Sequence, residues 1–124
     1  MPATIHEVNL QPWWPDTTTL PARAELDYDP VTDNLLVAFD RSRPAEHAYL
    51  EIGDHDYVAL RLALDTGEVV GIVIEDFHTV ALDRHLSWRQ LVEIAGTRAF
   101  KRAAPAEFPA IAAFIAEIER LPSH

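Results

Sequence analysis

The sequence contains no cysteine, and this absence removes several kinds of chemistry at once. Without a thiol, the chain can form no disulfide, no thiolate metal site and no cysteine nucleophile. A chain without disulfides is consistent with a reducing compartment. We therefore expect a cytoplasmic protein that folds without a metal ion.

Long apolar runs are also missing. No run approaches the roughly 18 residues that a membrane-spanning helix needs. Residues 1–11 have neither the basic start nor the apolar segment of a secretory signal. The sequence therefore predicts a soluble protein with no membrane partner.

Glycine is scarce, with four residues in the whole chain. Loops that hold phosphates or dinucleotides use several closely spaced glycines, because only glycine lets the backbone approach the ligand closely. The order of residues typical of a Ser-His-Asp triad is absent as well. We therefore predict no cofactor and assign no catalytic residue.

Positive charge is sparse in the first two-thirds of the chain. The formal net charge is −10, and residues 1–80 hold four arginines against fifteen acids, whereas residues 81–124 hold six basic side chains against five acids. Nucleic-acid affinity depends on the neutralisation of phosphates by Lys and Arg. Nucleic acid is therefore an unsuitable partner for the acidic part.

Alternating apolar residues are abundant in the middle of the chain. This alternation is typical of strands with one buried face. The connections are short, and short connections join antiparallel strands. The sequence thus predicts an antiparallel β-meander of about five strands within residues 24–76, at 24–28, 35–39, 47–52, 57–64 and 69–74.

The apolar period becomes helical after Asp76. Ser87 and Gln90 fit a capping box, which predicts a helix from residue 87 to about residue 100. A second helix to about residue 121 follows from an apolar stripe at helical spacing. The predicted fold class is therefore α+β, with two C-terminal helices (within 87–121) packed on the sheet. Residues 77–86 fit either a loop or a short helix. The predicted buried helical residues are Trp88, Leu91, Ile94, Ala95, Ile111, Phe114, Ile115 and Ile118.

Residues 1–23 contain four prolines and are predicted to form an arm on a single domain that spans residues 1–124. At most a short edge strand is expected, at residues 4–10. Trp13 and Trp14 lie in this arm, and at least one of the two indoles should anchor it on apolar surface.

Two runs in the sheet segment resemble a known family. The runs are YDPVTDNL at residues 28–35 and DTGEVVGIVI at residues 65–74. They resemble a bacterial domain-of-unknown-function family whose short members carry YD-x-x-x-D-x-L and D-x-x-G-x-x-V-G-I-E-I motifs. The likeness covers residues 24–76, but Asp65 and Gly67 are one residue closer than in the family, and Val73 stands where the family has Glu. The resemblance implies a small sheet-based domain and assigns no functional residue.

Asp65-Thr66-Gly67 also matches the short signature of retroviral-type aspartic proteases. Such an enzyme needs a glycine-rich flap and a second apolar-glycine segment downstream, and the sequence offers neither. A hairpin turn explains the three residues, so we interpret them as a turn.

Acidic residues and histidines cluster twice. Residues 54–56 with His47 could suggest a divalent metal, but consecutive strand residues point to opposite sides and rarely converge on one ion. A solvated turn is the favoured interpretation. The second cluster lies where the chain leaves the sheet, so it could simply cap the next element. Its members are Glu75, Asp76, His78 and His85.

A basic group follows the first predicted helix, at Arg98, Lys101 and Arg102. Free N–H groups that bind anions lie at the other end of a helix. We therefore interpret these cations as compensation of the helix dipole.

Two functional hypotheses remain. The first is a non-enzymatic module that self-associates, most simply as a homodimer, because the strands carry more apolar surface than two helices can cover. The second is a small-molecule binder or minor enzyme that uses sheet-edge carboxylates and the histidines at 55, 78 and 85. The predicted interface of the first hypothesis comprises Trp13, Trp14, Ala59, Ala63, Val69 and Val73.

Overall fold

A computed structural model describes residues 3–4, 13–50, 57–97 and 99–121. Seven strands form one sheet with the order β1-β4-β5-β6-β3-β2-β7. Strands β2 to β7 are joined by antiparallel pairings, whereas β1 pairs with β4 in parallel. The predicted α+β class with an antiparallel sheet is confirmed. The strands are β1 (Ala3–Thr4), β2 (Glu25–Asp29), β3 (Asn34–Ala38), β4 (Ala45–Tyr49), β5 (Val58–Ala63), β6 (Val69–Ile74) and β7 (Lys101–Arg102).

The predicted meander is wrong in its strand order. β6 lies next to β3, so β3 to β6 follow a Greek-key order and β4 lies toward the sheet edge. The backbone N–H groups of Phe39 and Asp40 both donate to the Val70 carbonyl, at 2.9 and 3.2 Å, before the chain passes on to β4. The physical reason is composition: every residue of β6 is buried, whereas β4 carries partly exposed polar side chains that suit a position near the edge.

The helical segments are shorter and more numerous than predicted. A π-helical turn (Phe77–Ala81) continues into α2 (Leu82–Arg84), so residues 77–86 are largely helical. A 3₁₀ turn (Leu86–Trp88) then leads into α3 (Arg89–Ala95). Within the described ranges no helix has the length and apolar character needed to cross a membrane. The other α-helices of the described residues are α1 (Leu20–Arg23) and α4 (Phe108–Arg120), and a second 3₁₀ turn (Pro105–Glu107) directly precedes α4.

The first predicted C-terminal helix ends earlier than residue 100. Gly96 has a φ of +59°, a value that favours glycine and stops α3 after Ala95. Residues 96–97 and 99–100 lie in turns, and β7 then pairs with the outer edge of β2. The capping box predicted at Ser87 does not form; the Ser87 hydroxyl instead donates to Glu117.

Part of the predicted arm is built into the fold. Leu20 on α1 is fully buried, and α1 packs against α4. Trp14 is half-buried against the core, so one indole does anchor this segment, whereas Trp13 is 66% exposed. Thr4 lies on the short edge strand β1, while residues 5–12 lie outside the described residues.

The main core lies between one sheet face and the helices. A cross-strand row of apolar side chains on that face consists of Ala48, Leu60, Ile72, Val37 and Leu26. The helical residues predicted to be buried, from Trp88 to Ile118, are all buried in the same cluster. α3 packs on β2, and α4 packs on α1 and α3. Burial of the apolar stripes of α3 and α4 is thus confirmed.

A β-bulge in the pairing of β5 with β6 changes the sheet face on which Val69 was expected. Arg61 pairs with Gly71 but Leu62 pairs with Val69, so Val70 is the extra residue. The bulge puts Val69 into the main core cluster and not on the face of Val73, where the alternation predicted it. Ala59, Ala63 and Val73 are buried residues outside that cluster.

Candidate functional site

An open cleft of about 390 Å³ lies where the end of α2 meets the C-terminal half of α4. Its residues come from the end of α2, from the turn between α2 and α3, and from the C-terminal end of α4. Three of its residues are cationic or imidazole side chains, one is a carboxylate, and two are leucines. The lining residues are Arg84, His85, Leu86, Ser87, Glu117, Arg120 and Leu121.

Asp33 holds the segment that leads into the cleft. It lies in the β2–β3 turn with a φ of +59°, and its carboxylate accepts hydrogen bonds from the backbone N–H groups of His78 (3.0 Å) and Thr79 (3.2 Å). The Asp33 carbonyl also accepts the Phe77 N–H at 2.8 Å. These bonds satisfy N–H groups that the first turn of a helix leaves without a partner. The turn after β6 is therefore fixed to the β2–β3 hairpin.

Tyr28 completes this cap. Its hydroxyl donates to Asp33 Oδ1 at 2.7 Å. Burial of the Asp33 carboxyl acts to raise its pKa, but the hydrogen bonds from His78, Tyr28 and Thr79 outweigh burial and lower that pKa to about 2. Burial and the Asp33 carboxylate together raise the pKa of Tyr28 to about 12. Both motif-like runs of the sequence meet here, because β3 pairs with β6.

The His85 ring lies between two side chains, with a hydroxyl at one ring nitrogen and a carboxylate near the other. Its Nε2 lies 2.7 Å from the Tyr57 hydroxyl oxygen, and its Nδ1 lies 3.8 Å from Glu117 Oε2. Its ring stacks on the Trp88 indole, with centroids 3.9 Å apart. This arrangement favours a neutral imidazole that carries its proton on Nδ1. The Tyr57 hydroxyl then donates a hydrogen bond to Nε2.

Glu117 connects the two helices that frame the cleft. Its Oε2 accepts the indole N–H of Trp88 at 2.6 Å, and its Oε1 accepts the Ser87 hydroxyl at 3.0 Å. Both carboxylate oxygens therefore already serve a donor from the chain itself. Trp88 in turn makes an edge contact with Phe114, which fixes the indole against the core.

Burial governs the titration of the His85 and Tyr57 pair. Burial lowers the pKa of His85, and the nearby Glu117 carboxylate opposes this effect only in part. Burial raises the pKa of the Tyr57 phenol, although Arg84 acts in the opposite direction. The imidazole is thus neutral and the phenol protonated at neutral pH.

The geometry suits binding better than nucleophilic catalysis. Ser87 donates to Glu117 and not to His85, so these side chains do not form the Ser–His–acid order of a hydrolase. Each ring nitrogen of His85 already faces a group of the chain, and Tyr57 is fully buried. Arg84 and Arg120 are exposed residues that line the cleft, and the guanidinium carbon of Arg84 lies 5.5 Å from the centre of the Tyr57 ring.

The histidine and acid clusters expected from the sequence separate in the structure. His78 joins the Asp33 cap, with Nδ1 3.2 Å from Asp33 Oδ1, whereas His85 lies in the cleft. Glu75 accepts the Tyr49 hydroxyl at 2.6 Å on the other side of the sheet. Residues 54–56 lie outside the described residues. In the part of the chain that is described, no group of three or more His, Asp or Glu side chains could hold a metal ion.

The Asp65-Thr66-Gly67 segment is a hairpin turn, as predicted. Gly67 has a φ of +76°, and its N–H donates to the Ala63 carbonyl at 2.8 Å. Arg43 Nη2 donates to Asp65 at 3.1 Å and to the Thr66 hydroxyl at 3.0 Å. The Arg43 hydrogen bond lowers the pKa of the Asp65 carboxyl. Asp65 thus has a structural partner on the surface.

The expected basic group does not lie at a helix end, because α3 stops at Ala95. Lys101 and Arg102 are on β7, where Lys101 Nζ lies 3.4 Å from Glu107 and Arg102 donates to the Ala22 carbonyl. Arg98 lies outside the described residues. The interpretation as dipole compensation is therefore wrong for Lys101 and Arg102.

Sequence reasoning selected His85 but missed its partners. Tyr57 is 28 positions away and Glu117 is 32 positions away along the chain, so only the fold brings them together. One available signal was the position of Glu117 beside the apolar stripe of α4, next to Phe114 and Ile118. Another was the excess of cations after residue 80, to which Arg84 and Arg120 belong.

The chain was compared with protein-family models, curated proteins and solved structures. The likeness of residues 24–76 to a bacterial sheet family stays a prediction. No family model, curated protein or solved structure matched the chain in these comparisons.

Proposed function

We propose that the protein is a binding protein for a small organic anion, which it holds in the cleft between α2 and α4. One observation carries the proposal: in a chain with a formal charge of −10, this cleft combines Arg84 and Arg120 with a single carboxylate. Arginine is well suited to hold carboxylates and phosphates, because its planar fork matches their geometry.

The carboxylate in the cleft does not cancel this positive character. Glu117 uses both oxygens to accept hydrogen bonds from Ser87 and Trp88. Within the described part of the chain, Arg120 forms no ion pair. Arg84 also contacts Tyr57, with its guanidinium carbon 5.5 Å from the centre of the phenol ring, so Arg120 is the arginine that we expect to bind the anion.

This proposal develops the hypothesis of a small-molecule binder. Of the histidines expected to take part, it uses His85. The self-association hypothesis stays a prediction, as does cytoplasmic location. The apolar face that motivated self-association is buried within one chain, since Ala59 and Val73 expose 0% and 9% of their surface. The cleft, by contrast, is open to solvent in the single chain.

The test is titration of the protein with small anions by NMR at constant ionic strength. Acetate and methyl phosphate should shift resonances of the cleft residues, with saturation, in the wild-type protein. Arg120→Gln should weaken binding at least about tenfold, because it removes a charged hydrogen-bond donor. Arg89→Gln is the matched control, since Arg89 is an exposed arginine that does not line the cleft. Equal affinities for wild type and Arg120→Gln would refute the proposal.

A further inference from the structure

The imidazole of His85 continues a stack of rings at the edge of the cleft. One face of this ring lies on the Trp88 indole, with centroids 3.9 Å apart and an angle of 10° between the planes. The indole is itself held in place, because it makes an edge contact with Phe114 and its N–H donates to Glu117. The two stacked rings therefore present a flat surface with a fixed orientation.

Only part of the His85 ring is left for a ligand. Its Nε2 lies 2.7 Å from the Tyr57 hydroxyl oxygen, and its Nδ1 lies 3.8 Å from a Glu117 oxygen. Since both nitrogens and one face adjoin groups of the chain, the exposed remainder, 17% of the side chain, belongs to the second face and the carbon edge. His85 lines the cleft, so this remainder is a carbon-rich aromatic surface that borders it.

Apolar and cationic side chains share the cleft with this aromatic surface. Leu86 lines the cleft and is 68% exposed, and Leu121 lines it as a partly buried residue. Removal of exposed leucine surface from water by an apolar ligand is favourable. Arg120 lines the same cleft and forms no ion pair with another described residue. The cleft thus offers aromatic, aliphatic and cationic groups to one ligand.

We propose that the ligand of this cleft is an aromatic monocarboxylate, whose ring stacks on His85 beside Leu86 and whose carboxylate binds Arg120. This inference rests on the proposed function and adds the chemical class of the anion. An aromatic ring gains from offset stacking on another ring, beyond the gain from buried area alone. The volume of the cleft, about 390 Å³, falls within the roughly 300–1,000 Å³ of small-molecule sites.

The charges of the cleft favour a single carboxylate. The planar guanidinium of Arg120 can donate two parallel N–H groups to the two oxygens of a carboxylate. Glu117 also lines the cleft, so a second negative charge on the ligand would meet a like charge. A dicarboxylate or a phosphate dianion is therefore a poorer ligand than a monocarboxylate.

The experiment is NMR titration of the wild-type protein with benzoate, cyclohexanecarboxylate, benzamide and acetate, at neutral pH and constant ionic strength. Benzoate should bind about three- to tenfold more tightly than cyclohexanecarboxylate, because the two share charge and approximate size but only benzoate can stack. Benzamide keeps the ring without the charge and should bind about tenfold more weakly than benzoate. Acetate should also bind more weakly, because it leaves Leu86 uncovered. Intermolecular NOEs should connect the benzoate ring protons with His85 and Leu86.

Two variants test the stacking surface separately from the fold. His85→Gln removes the ring and keeps a polar side chain, so it should abolish the preference for benzoate over cyclohexanecarboxylate. His47→Gln is the matched control, because His47 is a partly buried histidine on β4 that does not line the cleft. Leu86→Ser changes an exposed residue and should leave the fold intact. It should weaken benzoate binding about threefold or more while acetate binding is unchanged.

Equal affinities of the wild-type protein for benzoate and cyclohexanecarboxylate would overturn this inference and leave the anion-binding function standing. Benzoate binding that Leu86→Ser does not weaken, or NOEs only to residues outside the cleft, would overturn it as well. Benzamide binding as tightly as benzoate would refute the anion-binding function. Failure of every anion to bind would refute both the function and the inference.

Discussion

Asp33 is the residue on which the hydrogen bonds of the β6–α2 connection converge. Its carboxylate serves the backbone of His78 and Thr79 and the hydroxyl of Tyr28, which lie on separate segments of the chain. Because these donors stabilise the charged form, the folded state lowers the pKa of Asp33 to about 2. Ionised Asp33 therefore stabilises the segment that carries His85 into the cleft.

We expect Asp33→Asn to lower the free energy of unfolding by about 1–2 kcal/mol at pH 7, in the range of a lost helix cap. Asparagine tolerates the positive φ, so the change mainly removes the charge. A carboxyl with a lowered pKa contributes stability above its unfolded pKa of about 4 and loses it as the pH falls to about 2. The difference between wild type and variant should therefore shrink between pH 5 and pH 2.5.

Urea denaturation across this pH range is the measurement. Asp29→Asn is the control from the same hairpin, where an exposed carboxylate accepts the Val31 N–H at 2.9 Å. It should change the free energy of unfolding by less than about 0.5 kcal/mol. A difference between wild type and Asp33→Asn that stays constant with pH would contradict the assigned charge effect.

At the scale of elements, α4 links the core to the cleft. Its buried side chains pack toward α1 and α3, and Glu117 on its edge binds Ser87 and Trp88. Phe114 is buried and makes an edge contact with the Trp88 indole, with centroids 5.2 Å apart. The helix that supplies the wall of the cleft is therefore held by the same contacts that close the core.

We expect Phe114→Ala to lower the free energy of unfolding by about 3–5 kcal/mol, because it removes a buried ring and leaves a cavity. The measurement is the midpoint and slope of urea denaturation. Glu119→Ala, an exposed change on the same helix, should remain within about 0.5 kcal/mol of wild type. A nearly unchanged midpoint for Phe114→Ala would show that α4 contributes little to the fold.

At the scale of the whole molecule, four large apolar side chains of the described residues are exposed. Among the described residues they are Trp13, Val31, Leu64 and Leu86. Trp13 is the most accessible of the predicted interface residues, and its carbonyl accepts the Val69 N–H at 2.7 Å beside the 64–68 loop. Val73 lies on the sheet face opposite the main core, and 9% of its surface is exposed. A homodimer contact through Trp13 and one through Val73 would therefore use different surfaces.

We keep the homodimer as a prediction, to be tested by light scattering coupled to size exclusion at micromolar concentration. Twice the chain mass is expected for wild type. A fall to one chain mass in Trp13→Ala but not in Val73→Glu would locate the contact at the arm, and the reverse would locate it on the sheet face. Circular dichroism of each variant separates lost association from lost folding. A wild-type mass of one chain would reject the dimer.

The sequence alone determined the features that depend on local spacing. Alternation indicated the segments of β2 to β6, helical periodicity indicated the buried faces of α3 and α4, and Gly67 indicated the hairpin turn, because each depends on neighbours a few residues away. Tertiary structure decided the rest. The position of β6 beside β3 and the pairing of β7 with β2 follow from the need of strands to find partners, and the bulge at Val70 is a property of the pairing between β5 and β6. The cleft belongs to this second group: Arg84, His85 and Glu117 come from distant segments, and their convergence depends on how α4 packs, which no local pattern contains.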